Sequence, residues 1–202
     1  MEFVKEFAMF LHQKGIIRFG DFTLASGKKS SYYVDLRIVP SYPHQFRRMI
    51  KHLQNIISEQ TGLDTFDAVA SVPTGGLVIA SALALETVKP LVYVRSEAKS
   101  HGTGKLIEGI VEDGMKILLV DDVATTGGSV INGIKALKEA GAKISDCYVI
   151  VNRMEGAQQA LQMEGITLHQ VFNISEIAEI LSQAGMISEQ TLKKVHAQTS
   201  SQ

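Results

Sequence analysis

Asp121 and Asp122 stand side by side where an apolar run, Ile117-Leu-Leu-Val120, gives way to Val-Ala-Thr-Thr-Gly-Gly-Ser129. An ionised carboxylate only accepts hydrogen bonds, so an adjacent pair suits a ligand that presents neighbouring hydroxyls. The Ala124 to Ser129 stretch has the opposite use. Its small residues let backbone N–H groups face inward, and a helical pattern begins at Val130 with its positive dipole end toward the same place, which makes a cradle for an anion. An acidic pair alone would be read as the cap of the next helix. With four aliphatic residues before it and Thr-Thr-Gly-Gly-Ser after it, the stretch instead suits one ligand carrying both a phosphate and vicinal hydroxyls.

Two further stretches hold chemistry of the same kind. In Ala70-Ser-Val-Pro-Thr-Gly-Gly76 an apolar run again enters a turn, and Gly75 and Gly76 allow backbone amides to approach a ligand closely. Pro-Thr-Gly-Gly is also a common turn, so this stretch gains its meaning from the first: two such junctions on one sheet edge hold two phosphate groups of one ligand. Arg95-Ser-Glu-Ala-Lys-Ser-His-Gly102 places three cationic or titratable side chains, Arg95, Lys99 and His101, on a glycine-flanked segment able to close over a polyanion, with Glu97 near enough to orient either of the latter two.

The elements that must position these residues follow from periodicity. Phe3, Phe7, Phe10 and Leu11 recur at helical spacing up to Gly15, and Phe46, Met49, Ile50, Leu53 and Ile57 define a second helix after Pro43. Residues 16–36 read as a loop-and-strand arm. From Asp67 onward strands at 68–72, 91–94, 117–120, 147–151 and 168–172 alternate with helices at 77–87, 130–139, 157–163 and 175–183. That alternation predicts an α/β fold with a mostly parallel central sheet flanked by helices, with Asp121 and Asp122 at a strand's carboxyl end, where open α/β sheets bind ligands. Asp113-Gly114, between apolar runs at 105–111 and 116–120, predicts a hairpin with a long mobile tip in the polar stretch 96–109.

Bulk properties bound the rest. The chain has 202 residues, enough for one domain with a sizeable core. It is 45% hydrophobic and 20% charged, with a formal net charge of -1, which gives no global attraction to nucleic acid or to anionic membranes. The first residues carry Glu2, Lys5 and Glu6, which interrupt any leader-like apolar run, and the longest apolar segment, 77–85, falls far short of the ~20 residues of a membrane span. A cytoplasmic protein is expected. Cys147 is the single cysteine and, set in an apolar stretch, reads as a small core residue.

The 116–129 stretch resembles the phosphoribosyl pyrophosphate (PRPP) signature of the type I phosphoribosyltransferases. The Arg95 to Gly102 segment resembles the catalytic loop of the orotate phosphoribosyltransferases, as do Phe19-Gly-Asp-Phe-Thr-Leu-Ala-Ser-Gly-Lys-Lys-Ser-Ser-Tyr-Tyr-Val-Asp-Leu-Arg37 and Val151-Asn-Arg-Met-Glu-Gly156. The resemblance implies a single domain over residues 1–202: an arm forming a small hood (1–60), a PRPP-binding α/β core (61–202), and a mobile catalytic hairpin loop. It implies conversion of orotate and PRPP to orotidine 5′-monophosphate and pyrophosphate, the step of de novo pyrimidine synthesis that makes the nucleotide. Lys99, His101, Asp121 and Asp122 would be catalytic. Arg95, Lys99 and His101, together with Asp121, Asp122, Val123, Ala124, Thr125, Thr126, Gly127, Gly128 and Ser129, would bind PRPP, and Thr74, Gly75 and Gly76 its pyrophosphate. Thr125 and Arg153 would meet orotate. Mg²⁺ would be held mainly through PRPP and water rather than by dedicated protein ligands, and a homodimer would let each loop reach the neighbouring site.

Two positions depart from the pattern. Ala25 replaces the lysine that many relatives carry, so its PRPP contact is either missing or supplied by Lys28 or Lys29, and Ser96 replaces a second basic residue after Arg95. Two other readings compete. A phosphoribosyltransferase for a purine or for uracil shares the PRPP signature but not the arm or the Arg153 context. A PRPP-sensing regulator of transcription would need a DNA-binding module or a basic face, and the first 60 residues contain no convincing helix-turn-helix while the overall charge is near neutral.

Overall fold

Aliphatic runs without polar alternation have to be buried on both faces of a sheet, and the central runs of this chain are. The computed structural model describes residues 2–23, 27–95 and 106–200. An amphipathic helix, α1 (Glu2–Gln13), leads into an antiparallel pair, β1 (Ile17–Thr23) and β2 (Lys29–Val34), irregular between Phe19 and Phe22. A 3₁₀ turn (Leu36–Ser41) then precedes α2 (Pro43–Gln60), which begins with proline in its first turn. Thereafter come β3 (Ala68–Ser71), α3 (Gly75–Thr87), β4 (Leu91–Val94), β5 (Ile107–Glu108), β6 (Ile117–Ala124), α4 (Gly128–Glu139), β7 (Asp146–Asn152), α5 (Ala157–Met163), β8 (Thr167–Asn173), α6 (Ile174–Gln183) and α7 (Glu189–Ser200).

The main sheet runs β5-β4-β3-β6-β7-β8, parallel except for the edge strand β5. Chain order departs from spatial order at one place. The β3-α3-β4 unit steps toward one edge and β6-α4-β7-α5-β8 toward the other, so β3 and β6 flank the switch point, with Ala70 opposite Leu119. At such a point the two crossovers diverge and leave a crevice beyond the strand carboxyl ends.

Two apolar clusters fill the faces of the sheet. One joins Leu118, Val120, Tyr148, Ile150 and Phe172 to α1, α2, α3, α6 and the arm residues Ile17 and Tyr32; the other joins Leu119, Cys147 and Val149 to α4 and α5. The N-terminal elements therefore share a core with the sheet. Phe7 stacks on Phe172 at a centroid distance of 5.8 Å and an interplanar angle of 13°. Cys147 is wholly buried, and burial raises its thiol pKa far above the usual range, which leaves it an inert packing residue.

The alternation expected from Asp67 onward is present, with ends shifted by a few residues. The hairpin expected about Asp113-Gly114 is not. That dipeptide makes a turn, Met115 N–H bonding the Glu112 carbonyl at 3.1 Å, but the strand after it pairs in parallel with β3 and β7 rather than back on 105–111. A fully apolar run gains more from a central position with two neighbours than from a hairpin edge. The antiparallel pairing falls between β4 and β5 instead, Tyr93 opposite Glu108, so these strands bracket the segment that carries Lys99 and His101.

Candidate functional site

Four of the five parallel strands deliver chemistry to the same edge. The turn after β3 carries Thr74, Arg95 follows β4, the Thr125 to Gly127 turn follows β6, and Arg153 follows β7. Helices that start at this edge aim their positive ends into it, while the opposite edge meets helix carboxyl ends. A cavity of about 480 Å³ at that opposite edge, lined by Thr61, Lys116, Lys143 and Asp146, therefore lies away from the chemistry.

The acidic pair and the glycine turn form one structure. Asp121 and Asp122 lie within β6, which continues through Ala124, and not just past the strand end. Gly75 and Gly76, the first residues of α3, press against them: a Cβ on Gly75 would fall inside the Asp122 carboxylate, and one on Gly76 would fall inside the Asp121 carboxylate, 2.6 Å from Ser71 Oγ and 2.9 Å from the Asp121 Cα. Only glycine fits. The peptide joining Pro73 to Thr74 is cis.

Neither α3 nor α4 receives a side-chain hydrogen bond at its N-cap, held by Thr74 and by Gly127 at φ 82°. By contrast Asn173 caps α6, its Oδ1 accepting from Glu176 N–H at 2.7 Å. The uncapped helix starts leave first-turn N–H groups for a ligand, and both flank the switch point.

Burial governs the electrostatics of the pair. Asp121 is 8% exposed, and its removal from water, followed by the charge of Asp122, pushes its pKa well above the usual carboxylate range; the Asp122 backbone N–H, donating to Asp121 Oδ1 at 2.9 Å, opposes this. Arg37, fixed by Asp35 through bonds of 2.7 and 2.9 Å, is held charged chiefly by that partner, and Asp122 adds to the effect.

A second cluster ties the arm to the end of β7. Arg153, 7% exposed, donates from Nε to Glu155 Oε1 at 3.0 Å, with Nη2 2.8 Å from the same oxygen and 3.3 Å from Ser30 Oγ. Its guanidinium lies over the Tyr32 ring at 4.9 Å. The Tyr32 hydroxyl is 3.0 Å from the Arg153 carbonyl and 3.1 Å from Glu155 Oε1, and burial raises its pKa far beyond the usual range. Lys28 Nζ reaches Glu155 Oε2 at 3.2 Å. One buried carboxylate thus organises two cations, leaving the cluster net positive.

The structure brings together Thr74, Gly75, Gly76, Asp121, Asp122 and the Val123 to Ser129 segment, with Thr126, Gly128 and Ser129 exposed. Arg95 stands apart just after β4 with Nη1 3.4 Å from Glu108, and Arg153 belongs to the arm cluster. Lys99 and His101 lie outside the described residues, as do Ala25, Ser96 and Glu97. Of the two arm lysines, Lys28 pairs with Glu155, whereas Lys29 donates to Thr23 Oγ1 at 2.6 Å. Sequence reasoning missed Ser30, Tyr32, Glu155 and Gln198. Glu155 sits two residues beyond Arg153 and was the one within reach of a local signal.

A model of the phosphoribosyl transferase domain matches residues 43–176. The orotate phosphoribosyltransferase of Cenarchaeum symbiosum (strain A) is 53% identical over 98% of this chain and 100% of its own. The chain belongs to the orotate phosphoribosyltransferase family. Among solved structures, the orotate phosphoribosyltransferase of Aeropyrum pernix is similar at 36% identity and a TM-score of 0.77, covering 90% of this chain and 99% of that one. The UMP synthase of Leishmania donovani gives a TM-score of 0.85 at 31% identity, covering 98% of this chain and 42% of that longer one. The type I phosphoribosyltransferase fold expected from the resemblance is the fold observed.

The glycine–aspartate contact has two measurable consequences. Gly76→Ala must displace the Asp121 backbone as well as a side chain, so it should lower stability by about 1–3 kcal/mol and weaken PRPP binding. Urea denaturation and PRPP titration check this, and a variant that binds PRPP normally would show that the close approach is dispensable. The second concerns pH. The folded pKa of Asp121 exceeds its unfolded value, so the folded chain holds a proton that the unfolded chain releases. Its contribution to stability is complete below the ordinary carboxylate range and is lost as pH rises through neutrality. Melting temperature measured from about pH 4 to about pH 9 should fall less steeply in Asp121→Asn than in the wild type; parallel profiles would assign the pair a different charge state.

Proposed function

We propose that the protein transfers the phosphoribosyl group of PRPP to a ring nitrogen of orotate, giving orotidine 5′-monophosphate and pyrophosphate in de novo pyrimidine synthesis. The observation that carries this reading is the contact between the Thr74 to Gly76 turn and Asp121–Asp122, with a second anion cradle at Thr125 to Ser129 beside it. PRPP has a diphosphate and a 5′-phosphate at two ends of a ribose diol, and this edge has two amide cradles on either side of two carboxylates.

The chemistry follows from that placement. The C–O bond to pyrophosphate breaks as the orotate nitrogen forms its bond to the anomeric carbon, so positive charge grows on the sugar and negative charge on the leaving group. Both carboxyl groups accept from the ribose hydroxyls, and the charge of Asp122, the member that faces the open edge, favours the cationic sugar. Thr74, Gly75 and Gly76 hold the departing diphosphate, and Arg95, Lys99 and His101 neutralise it, a preorganised charge worth several kcal/mol. Val123 to Ser129 hold the 5′-phosphate, with Thr125 near the base. No protein nucleophile is required.

Mg²⁺ suits this site as an ion carried by the substrate. Among the described residues there is no cluster of three or more His, Cys, Asp or Glu that would cage it, while the acidic pair offers the one or two carboxylates that Mg²⁺ combines with phosphate oxygens and water. Bound there, it would offset diphosphate charge. Support for a homodimer is the family itself: the loop that carries Lys99 and His101 would reach into the neighbouring site. Among the described residues no helix is long and apolar enough to cross a membrane.

Base choice lies with the arm cluster. Orotate differs from uracil by a carboxylate, and Arg153 with Lys28 around a single Glu155 leaves positive charge for it. A site built to pair a charged group rejects analogues that lack it. PRPP-dependent turnover assayed with orotate, uracil, hypoxanthine and xanthine should therefore favour orotate strongly, with most of that preference lost in Arg153→Ala. Comparable efficiency on uracil would overturn the orotate reading and leave the PRPP site standing. The loop assignment has its own check. Lys99→Ala and Asp122→Asn should each be inactive alone, and mixing them should restore activity once subunits exchange. A mixture that stays inactive after proven exchange would place the loop in its own subunit's site.

A further inference from the structure

Helix α7 lies outside the matched domain segment, yet it meets the arm cluster directly. Its one wholly buried apolar side chain is Val195. Leu192, partly buried, packs against the same core, and polar contacts add to the docking: Lys194 Nζ to Asp21 Oδ1 on β1 at 3.3 Å, and Thr199 Oγ1 to Ser175 Oγ on α6 at 3.0 Å. Gln198 does something different. Its Oε1 accepts from both the backbone N–H and the Oγ of Ser31, each at 2.8 Å, and its Nε2 donates to Ser30 Oγ at 3.2 Å and lies 3.5 Å from Glu155 Oε1. Both ends of one amide are thus spent on the strand β2 and on the carboxylate that orients Arg153.

The partners of those contacts explain why this matters. Ser30 Oγ already receives Arg153 Nη2, and Glu155 Oε1 already receives Arg153 Nε and the Tyr32 hydroxyl. Gln198 is therefore a third donor that fixes two acceptors Arg153 also uses. Without it Ser30 and Glu155 keep their bonds to Arg153 but lose the group that sets their position relative to β2. A carboxamide suits the place because it accepts at one end and donates at the other; a carboxylate could not donate, and an ammonium could not accept.

We infer that Gln198 is a positioning residue for base recognition, holding the Ser30–Ser31 strand and the Arg153–Glu155 pair in the geometry that receives the orotate carboxylate. This rests on the orotate reading of the arm cluster and extends it to the C-terminal helix. Gln198 touches no reacting atom, so its loss should act on orotate affinity and spare the rest of the reaction.

Steady-state kinetics of Gln198→Met, which keeps the side chain's length and removes its hydrogen bonds, tests this in the full-length protein. The KM for orotate should rise about ten-fold, the equivalent of one or two lost hydrogen bonds, with kcat and the KM for PRPP changed by less than about two-fold. Val195→Ala is the comparison. It loosens the same helix through its apolar contact, and it should lower the melting temperature at least as much as Gln198→Met while leaving the orotate KM unchanged. If both variants raise the orotate KM in step with their loss of melting temperature, Gln198 merely docks α7 and the inference is overturned. An unchanged orotate KM in Gln198→Met overturns it too, provided the wild type uses orotate. A wild type with no orotate turnover removes the reading beneath it, and the inference falls with that reading.

Discussion

Gly75 and Gly76 can lie against Asp122 and Asp121 only because neither carries a Cβ, and the whole ligand-facing edge of the sheet depends on that approach. The parallel register of β3 with β6 sets the distance, since Ala70 opposite Leu119 brings the turn after one strand level with the acids of the other. A larger residue at position 76 would meet the Asp121 backbone and push α3 off the sheet, whereas one at position 75 would displace the Asp122 carboxylate from the crevice. The contact also buries Asp121, so the feature that forms the cradle shifts its carboxyl toward the neutral form. Two adjacent carboxylates are tolerable in a desolvated place when one retains a proton and the other faces the open edge.

The arm cluster solves a different electrostatic problem. An Arg153 guanidinium in an apolar pocket would be costly by itself, and Glu155 supplies the compensating charge. Pairing alone would leave nothing for an anionic ligand. Lys28, half-exposed at the second oxygen of Glu155, restores a net positive balance without adding a second buried cation. Tyr32 completes the arrangement, with its ring under the guanidinium and its hydroxyl within reach of the Arg153 carbonyl and Glu155. Polar groups buried this densely hold one geometry because each is satisfied by its neighbours.

Most of the parallel core was legible in the sequence. The strand runs are short, aliphatic and bounded by turn residues, and the acidic pair with its Gly-containing turn is contiguous, so no knowledge of tertiary pairing is needed to see it. What escaped had long sequence separation. Lys28 meets Glu155 across 127 residues and Ser31 meets Gln198 across 167, and nothing local marks either pairing. Helix α7 was missed for a related reason: with Val195 fully buried and Leu192 only partly so, it carries little periodic signal, and hydrogen bonds to the arm add to its apolar contact. Asp113-Gly114 misled in the other direction. The turn chemistry was read correctly, but the strand after it belongs at the centre of the sheet, and the burial of Ile117 to Val120 on both faces outweighed a local hairpin preference. Lys99 and His101, expected on the loop, lie where the described residues do not reach.

On the proposed reading, phosphate recognition and base recognition are built from separate materials. The first uses backbone amides, glycines and two acids at a switch point, features that any phosphoribosyl-binding sheet of this topology can share. The second uses side chains from the arm, from the end of β7 and from α7, joined through one buried carboxylate. A change of base preference therefore need not disturb the cradle, because no side chain of the Ser30–Arg153–Glu155–Gln198 network is among those that shape the contact of Gly75 and Gly76 with the acids. The coupling runs through the backbone: Arg153 N–H bonds the Ala124 carbonyl at 2.9 Å, and Ala157 N–H bonds the Thr125 carbonyl at 3.1 Å. Those two bonds fix the base side to the phosphate turn, and on the proposed reaction they set the distance between the attacking nitrogen and the anomeric carbon.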